Sequence, residues 1–325
     1  MEKVTIVDVC KKTGFGLGTV SRVLRNKGSV KKETREIILQ AMKDLNYTPN
    51  ANSEKLRTKE TKIIAVMVPI INHPFFADFI QNLIQEAENN GYSVLVIVSQ
   101  NIPEKEKEIF NKIKKKEIDG AIYISHNKCD EIPDNAPVVT IDRFVNESTP
   151  IVTSNNYDST YEAIQSLIEK GHKKIGYIGT KPDVQSEVNK RFSAYEDILK
   201  ANNLKEYALN ISAKHGEEEN LVDEFVRKYP DVDAIFAAGY TLAQLIIRKM
   251  NNKEISFTKD IEIISYDGLF DNWGSKSKVT FIAQPIEEMA KLSFNLLIDK
   301  IKGKEVPLLN ILKCTSINGD KEERS

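Results

Sequence analysis

The 325-residue sequence predicts a small all-α domain followed by an α/β core of two doubly wound parallel-sheet lobes. Apolar residues in the first 50 positions follow helical spacing. From Ile63 onward, short apolar runs alternate with amphipathic helices, which is typical of parallel sheets covered on both faces. The alternation occurs in two successive stretches of about 100–130 residues, an ordinary length for one domain. We therefore expect two similar lobes with a cleft between them.

The first helix is predicted to begin after Thr5 and to end at Gly14. Thr5 followed by Asp8 resembles a capping box, with Asp in place of Glu. Residues 6–10 place three apolar side chains on one helical face. Gly14 suits the left-handed conformation that terminates many helices.

The second helix, expected at about Gly16–Leu24, has two different faces. Val20 and Val23 belong to an apolar stripe that suits a core. The other residues are mostly small, polar or basic: Leu17, Gly18, Thr19, Ser21 and Arg22. A third helix at about Lys32–Leu45 packs over the first two. Three helices within 50 residues predict a helix-turn-helix DNA-binding domain; the alternative is a plain helical cap on an α/β protein.

The polar face of the second helix suits DNA. Arg22 can reach a guanine edge or a phosphate, and the hydroxyls of Thr19 and Ser21 suit phosphate oxygens. Leu17 can contact a thymine methyl group, whereas Gly18 permits close approach without offering a side-chain hydrogen bond. Base readout is therefore expected to depend heavily on Arg22.

Charge is distributed unevenly along the chain. Residues 1–60 contain 13 Lys and Arg and 7 Asp and Glu, a net charge of +6. The remaining residues contain 33 basic and 40 acidic side chains, a net charge of −7. A basic end on an acidic body is expected of a phosphate-contacting module attached to a larger domain.

Composition and motifs exclude several classes of protein. No apolar run approaches the roughly 20 residues that span a bilayer, and the N-terminus carries no secretion signal. Cys10, Cys129 and Cys314 match no metal or disulfide pattern, so we expect a cytoplasmic protein without a cofactor or metal. Gly14–Gly18 is not expected to be a dinucleotide loop because no strand precedes it. No enzyme motif follows a strand, which argues against an α/β enzyme.

The predicted elements of the core alternate regularly. The strands are expected at Ile63–Pro69, Tyr92–Val98, Gly120–Ile124, Val138–Ile141, Ile151–Thr153, Lys174–Gly179, Ala208–Ser212, Ala234–Ala238, Ile261–Tyr266 and Val279–Ile282. The helices are expected at Pro74–Asn90, Glu104–Lys115, Tyr157–Lys170, Lys190–Ala201, Glu218–Lys228, Leu242–Met250 and Ile286–Ile301. The Lys- and Glu-rich run 104–117 is interpreted as one solvated helix face.

Ligands of doubly wound sheets bind beyond the carboxyl ends of the strands. The segments at those ends are Asn72–Phe76, Ser99-Gln100, Ser125-His126, Asp142-Arg143 and Asp267-Gly268. Carboxylates and an arginine can form paired hydrogen bonds with vicinal hydroxyls, and aromatic faces can stack on a sugar ring. The sequence therefore predicts a sugar site in the cleft.

Several segments together resemble the lactose-repressor/galactose-repressor family of bacterial transcription regulators, including its sucrose-operon repressors. In the N-terminal domain they are Val4–Val9, Gly18–Asn26, Val30–Glu36 and Leu45–Ala51. In the core they are Asn72–Asp78, Val139–Arg143, Ser154–Tyr157, Gly171–Gly179, Ile264–Gly268 and Ala283–Met289. The resemblance covers the chain to about residue 312 and implies a core similar to periplasmic sugar-binding proteins.

The resemblance also implies roles for individual residues. Leu17, Gly18 and Arg22 would face operator bases, and a hinge helix after Tyr47 would insert Leu56 into the minor groove. The full set of expected DNA contacts is Thr5, Leu17, Gly18, Thr19, Ser21, Arg22, Asn26, Tyr47, Asn50 and Leu56. The expected effector contacts are Phe75, Phe76, Asp142, Arg191 and Asp267, with Arg143 beside them and His215 near a lid.

Each effector assignment has a structural alternative. Phe75 or Phe76 can belong to the core, Arg191 to a helix surface, Asp142-Arg143 to a local ion pair, and Asp267 to a turn with Gly268. The chain also departs from the family at Gly239-Tyr240, where Asn-Asp is usual, and at Ser53-Glu54 in the hinge. An aromatic residue at position 240 suggests an effector that differs from a simple monosaccharide.

We therefore expect a homodimeric transcriptional repressor of a carbohydrate-utilisation operon, which binds double-stranded operator DNA under control of a sugar or sugar phosphate. The expected domains are 1–47 for DNA binding, 48–60 for the hinge, 61–312 for effector binding and dimerisation, and 313–325 for a charged tail. The absence of a leucine-heptad repeat after residue 312 favours a dimer. The alternative is a solute-binding protein of a transport or sensing system with the same core.

Overall fold

A computed structural model describes residues 4–24, 28–47, 60–125, 127, 132–133, 135–181, 184–212, 216–258, 260–268 and 279–317. The chain divides into two compact units, Met1–Glu60 and Thr61–Ser325. Among the described residues, no helix combines the length and apolar character that crossing a lipid bilayer requires.

The N-terminal unit contains the three expected helices, α1 (Ile6–Thr13), α2 (Leu17–Leu24) and α3 (Lys32–Asp44). Their apolar stripes meet in a small core that comprises Val9, Val20, Val23 and Ile38. The four side chains are almost fully removed from solvent. The helical spacing in the sequence therefore predicted the three helices and the four residues of this core.

Both ends of α1 follow the predicted signals. The Asp8 carboxylate accepts hydrogen bonds from the Thr5 backbone N–H at 2.9 Å and from the Thr5 hydroxyl at 2.7 Å. These bonds lower the pKa of Asp8. Gly14 adopts a φ of +75°, and its N–H donates to the Cys10 carbonyl at 2.8 Å.

The second unit contains the two predicted lobes, each built on a six-stranded sheet. The sheet of lobe 1 has the order β11-β5-β4-β3-β1-β2 with all strands parallel. Its strands are β1 (Ile63–Val68), β2 (Ser93–Val98), β3 (Gly120–Tyr123), β4 (Val138–Ile141), β5 (Ile151–Ser154) and β11 (Leu309–Leu312). The helices packed on it are α4 (Pro74–Asn89), α5 (Pro103–Lys114) and α10 (Ile286–Ile301).

The sheet of lobe 2 repeats this arrangement in the order β12-β10-β9-β8-β6-β7, with only β12 antiparallel to its neighbour. Its strands are β6 (Ile175–Thr180), β7 (Tyr207–Ile211), β8 (Ala234–Ala237), β9 (Glu262–Tyr266), β10 (Thr280–Ala283) and β12 (Thr315–Ile317). Its helices are α6 (Asn156–Glu169), α7 (Lys190–Ala201), α8 (Glu218–Lys228) and α9 (Tyr240–Asn251). A short 3-10 turn at Glu187–Asn189 precedes α7.

Two strands near the C-terminus were not predicted. β11 and β12 have only four and three residues. β11 lies at a sheet edge, where Leu309 and Ile311 are about half exposed, so the segment lacks the continuous apolar run of a buried strand. β12 lies inside the segment expected to be a charged tail, so regular structure continues to residue 317.

The prediction that residues 104–117 form one solvated face was wrong at Glu106. This side chain is only 2% exposed. Its carboxylate accepts hydrogen bonds from the Tyr123 and Ser125 hydroxyls, both at 2.7 Å, and from the Asn127 amide at 3.1 Å. Three donors offset the cost of burying the charge, which composition alone does not reveal.

Candidate operator-binding surface and effector site

The exposed face of α2 carries the predicted DNA-reading residues. Leu17 is 55% exposed, and Gly18 and Arg22 are also exposed. A methyl group at Gly18 would lie 3.8 Å from Nη2 of Arg22, and one at Gly28 would lie 3.4 Å from its Cδ. Arg22 therefore extends along a path bounded by two glycines, which leave room for its side chain.

The other predicted DNA contacts divide into three groups. Thr19 and Ser21 are half-buried on α2, and Thr5 is exposed with its hydroxyl donated to Asp8. Tyr47 is half-buried against the core of the N-terminal unit. Burial raises the pKa of Tyr47, so its hydroxyl stays protonated at neutral pH. The predicted contacts outside the described residues are Asn26, Asn50 and Leu56, together with the hinge departures Ser53 and Glu54.

A cavity of about 370 Å³ lies between the two lobes. Its lining comprises His73, Pro74, Phe75 and Asp78 from lobe 1, Tyr240, Asp267 and Gly268 from lobe 2, and residues 283–288 from the connection between β10 and α10. Helices α4, α9 and α10 begin at this cavity, at Pro74, Tyr240 and Ile286. The structure thus has a small-molecule-sized pocket where the doubly wound fold predicts a ligand site.

The two predicted phenylalanines have different positions. Phe75 lines the cavity, although it is 7% exposed. Both rings belong to the core of lobe 1 and contact each other edge-on, with ring centroids 5.6 Å apart. The core alternative therefore applies to Phe76, whereas Phe75 belongs to both the core and the cavity lining.

Arg191 is buried on α7 and is not a surface residue. Its Nε donates to the Asn156 side-chain oxygen at 2.6 Å, and its Nη1 donates to the Ala238 carbonyl at 2.8 Å. Its guanidinium carbon lies 3.4 Å from the centroid of the Tyr266 ring. Burial lowers the pKa of Arg191, but Tyr266, Asp267 and Asp142 together raise it above the ordinary value.

Asp142 and Asp267 occupy equivalent positions in the two lobes. Each follows the fourth strand from the β2 or β7 edge and donates its backbone N–H to the next strand, at 3.0 Å. Both have positive φ, +58° and +60°, a conformation that Asp tolerates better than most residues. The Asp142 carboxylate accepts from the Thr153 hydroxyl at 2.5 Å, and the Asp267 carboxylate accepts from the Gln284 amide at 2.6 Å.

Arg143, which was expected beside the effector, is buried and is not among the described residues that line the cavity. It is 3% exposed, and its guanidinium donates to the backbone carbonyls of Ser125 and Asn127. The side chains of the same two residues bind Glu106. Arg143 therefore holds the loop after β3 by its backbone, and Glu106 holds the same loop by its side chains. None of the described ion pairs joins Arg143 to Asp142.

The backbone at Asp142 also joins the lobes directly. Its carbonyl accepts a hydrogen bond from the Ser186 hydroxyl at 2.9 Å and from the Glu187 N–H at 2.8 Å. Arg143 and Ser186 form an isolated antiparallel bridge. Because Ser186 and Glu187 belong to lobe 2, any opening of the lobes on this side has to break these bonds.

Sequence reasoning missed several residues around Arg191. Asn156, Tyr266 and Gln284 bind or flank the charged groups, yet none was a candidate. Asn156 and Gln284 do follow strands closely, so the rule about carboxyl ends of strands applied to them as well. Tyr266 lies inside an apolar strand and gave no such signal. His215 lies outside the described residues.

The pKa of Asp142 predicts a pH-dependent effect of Asp142→Asn. Burial, partly opposed by the Thr153 hydrogen bond and Arg191, raises this pKa above the ordinary carboxyl value. Between the ordinary and the raised pKa, the folded state holds a proton that the unfolded state has lost, so wild-type stability falls as pH rises. The asparagine variant lacks this pH-dependent contribution to stability. Its free energy of unfolding relative to wild type should therefore increase from acidic to neutral pH in urea unfolding.

Asp231→Asn is a control of opposite sign. Asp231 is partly exposed and pairs with Lys174, and this hydrogen bond lowers the pKa of Asp231. Its stabilising effect is present above its unfolded pKa, so Asp231→Asn should lose stability relative to wild type as pH rises. Parallel pH profiles for the two variants would contradict the assignment of a raised pKa to Asp142.

Comparison with known proteins identifies the family. Residues 61–315 match the family of periplasmic binding proteins and sugar binding domains of LacI family, and residues 5–50 match the bacterial regulatory proteins of the lacI family. The chain belongs to the LacI family of bacterial regulatory proteins. This confirms the resemblance inferred from the sequence segments. The members of this family are transcription regulators.

Curated relatives cover nearly the whole length of this LacI-family chain. The ribose operon repressor of Halalkalibacterium halodurans is 27% identical and aligns over 99% of both proteins. The sucrose operon repressor of Lactococcus lactis subsp. lactis is 29% identical over 94% of this chain and 96% of the relative.

Solved structures confirm the fold. The lac repressor dimer bound to operator and the anti-inducer ONPF covers 98% of both chains with a TM-score of 0.80 and 20% identity. A periplasmic binding protein/LacI transcriptional regulator from Alkaliphilus metalliredigens, complexed with D-xylulofuranose, covers 79% of this chain and 97% of its own. Its TM-score is 0.69 and its identity is 26%.

Proposed function

We propose that this LacI-family protein is a homodimeric repressor of a carbohydrate-utilisation operon, and that a sugar between the lobes controls its affinity for operator DNA. The observation that carries the proposal is the presence, in one chain, of an exposed Arg22 face on a helix-turn-helix unit and an inter-lobe cavity lined by Phe75, Tyr240 and Asp267. Residues 1–47 bind DNA, 48–60 link the units, and the core begins at 61. The protein acts in the cytoplasm, where its DNA is.

An unequal affinity for two conformations is what allows a sugar to act at a distance. A sugar that favours the closed cleft shifts the population of lobe arrangements, and the DNA-binding units of the dimer respond. The ribose and sucrose operon repressors among the relatives support carbohydrate control of this kind. The N-terminal helix-turn-helix unit also distinguishes the protein from a transport-linked solute-binding protein, which needs no operator-reading helix.

Removing residues 1–60 tests this distinction. The truncated protein retains the whole unit Thr61–Ser325 and should keep its sugar affinity while losing affinity for palindromic operator DNA. Fluorescence anisotropy measures the DNA affinity, and calorimetry measures the sugar affinity. Equal operator affinity of the full-length and the truncated protein would refute a DNA-binding role for the N-terminal unit.

The lining of the cavity favours an uncharged sugar over a sugar phosphate. Among the described residues, its charged side chains are four carboxylates, those of Asp78, Asp267, Glu287 and Glu288. The three helix N-termini at the cavity attract anions, but each provides only about half a positive charge. The four full negative charges of the carboxylates exceed the partial positive charges of the helix N-termini, even though three of the carboxylates are exposed at the rim. The D-xylulofuranose bound by the Alkaliphilus regulator is likewise an uncharged sugar.

We therefore expect matched pairs of sugars to differ in binding. D-ribose, D-fructose and sucrose are to be compared with ribose 5-phosphate, fructose 6-phosphate and sucrose 6-phosphate by thermal shift. A ligand at 100 times its Kd stabilises a protein by about 2.7 kcal/mol, which is readily measured. The uncharged member of a binding pair should bind at least about tenfold more tightly, a free-energy difference of about 1.4 kcal/mol. Tighter binding of the phosphate would contradict the assignment while leaving sugar control intact.

A further inference from the structure

Three connections join the lobes, and all three converge near the end of β9. The first runs from β5 to α6 through Ser154 and Asn155, the second from β10 to α10 through Gln284, and the third from β11 to β12 through Cys314. The first and third are bonded to each other. The Asn155 N–H donates to the Leu312 carbonyl at 2.9 Å, and the Cys314 N–H donates to the Asn155 side chain at 2.7 Å.

Tyr266, the last residue of β9, contacts the first and third connections. Its hydroxyl lies 2.9 Å from the Ser154 hydroxyl and 3.3 Å from the Cys314 sulfur. A further contact at 3.3 Å reaches the hydroxyl of Ser159 on α6. Tyr266 is fully buried, and burial raises its pKa, so the hydroxyl remains a donor at neutral pH.

The next residue contacts the second connection. The Asp267 carboxylate accepts the hydrogen bond of Gln284 at 2.6 Å, and Asp267 also lines the cavity. Tyr266 and Asp267, which are consecutive in the chain, therefore contact all three connections between the lobes.

The ring of Tyr266 lies against Arg191, whose charge interacts with that of Asp267 in the cavity lining. The Arg191 guanidinium stacks on it at 3.4 Å, between Asn156 at the start of α6 and the Ala238 carbonyl before α9. A displacement of Arg191 on effector binding would therefore press on a ring whose hydroxyl is bonded to two of the three connections. A packed, hydrogen-bonded unit transmits such a displacement because it has few alternative arrangements.

We propose that Tyr266 is the positioning residue that couples occupancy of the Arg191–Asp267 site to the lobe connections, and so to operator affinity. This inference rests on the proposed function. It assigns to the Tyr266 hydroxyl a role in transmission, whereas Arg191 and Asp267 bind the effector. Loss of the hydroxyl should therefore weaken the link between effector and operator more than it weakens effector binding.

Tyr266→Phe tests the role because it keeps the ring under Arg191 and removes only the hydroxyl. Tyr195→Phe is the matched control. Tyr195 is also fully buried, and its hydroxyl donates to the Ile175 carbonyl at 3.0 Å and accepts from the Tyr207 N–H at 2.9 Å, both within lobe 2. Both variants lose buried tyrosine hydrogen bonds, but only one loses bonds to the connections.

Two measurements are to be made on the full chain. The first is hydrogen exchange without ligand, which measures the exchange rates of the backbone amides of residues 153–157 and 312–316. Anisotropy with palindromic DNA, selected from a random pool, reports operator affinity with and without D-ribose, sucrose or D-xylulose. In Tyr266→Phe we expect exchange in both segments to increase by about fivefold and the sugar-dependent change in operator affinity to shrink by about fivefold. Sugar affinity should stay within about threefold of wild type.

Tyr195→Phe should leave both readouts at wild-type values. Equal effects of the two variants, or faster exchange with an unchanged sugar-dependent ratio, would overturn the proposal, because Tyr266 would then only stabilise the fold. If no sugar changes operator affinity in wild type, the proposed function fails. The exchange measurement still decides whether Tyr266 holds the connections, so the two failures are distinguishable.

Discussion

Replacing Arg191 with alanine is expected to abolish the response of operator binding to the effector. Arg191 is the buried cation between Asp142 and Asp267, and it bonds Asn156 and the Ala238 carbonyl from opposite ends of its guanidinium. Its removal leaves two partly exposed carboxylates without their nearby cation and, under the proposed function, removes a donor for sugar hydroxyls. A hydrogen bond to a charged group contributes about 1.5–3 kcal/mol, so we expect sugar affinity to fall at least about tenfold.

The same variant should also lose about 1–3 kcal/mol of stability, because the Asn156 side-chain oxygen and the Ala238 carbonyl lose a buried donor. Arg191→Met keeps the length of the side chain and provides a second, better-packed variant. Arg248→Ala is the control, since Arg248 is exposed and its ion pair with Glu219 lies on the surface of lobe 2. Calorimetry measures sugar affinity, and urea unfolding measures stability. Wild-type sugar affinity in a folded Arg191 variant would show that the effector binds elsewhere.

Arg22→Ala is expected to remove most of the discrimination between operator and unrelated DNA. The neighbours of Arg22 on the exposed face include Leu17 and Gly18, and neither has a side-chain hydrogen-bond donor or acceptor. A bidentate contact from arginine to guanine contributes about 1–3 kcal/mol of discrimination. We therefore expect operator affinity to fall by about 10- to 100-fold, with a much smaller change for scrambled DNA.

Lys12→Ala controls for the loss of one positive charge from the same unit. Its ammonium already pairs with Asp44 at 3.0 Å, so its removal should change the affinities for operator and scrambled DNA alike. Anisotropy at two salt concentrations measures both affinities. An Arg22→Ala variant that keeps the wild-type ratio of specific to non-specific binding would place base recognition elsewhere.

Local patterns in the sequence predicted the elements that have local causes. The capping pair Thr5 and Asp8, the stop at Gly14 and the alternation of strands with helices all depend on residues close in the chain. The rule that ligands bind beyond the carboxyl ends of strands also depends only on nearby residues, and it placed Phe75 and Asp267 at the cavity. Arg191 was assigned from the family resemblance, and the structure adds its burial and its partners.

Features that depend on distant contacts were missed. Arg143 follows a strand just as Asp142 does, but adjacent side chains point to different sides, and Arg143 reaches carbonyls 16 and 18 residues away. Glu106 lies in a charged run, and only the fold brings Tyr123, Ser125 and Asn127 to it. The bond from Tyr266 to Ser154 joins residues 112 positions apart.

The central claim is that sugar and operator binding are thermodynamically coupled in one chain. The most direct measurement is a reciprocal titration of the full-length protein, with operator affinity measured with and without saturating sugar, and sugar affinity measured with and without saturating operator. Linkage requires the two affinities to change by the same factor, typically about 5- to 150-fold. Equal factors in this range are the predicted result. Operator affinity that stays constant at saturating sugar, in a protein that binds both ligands, would contradict the account.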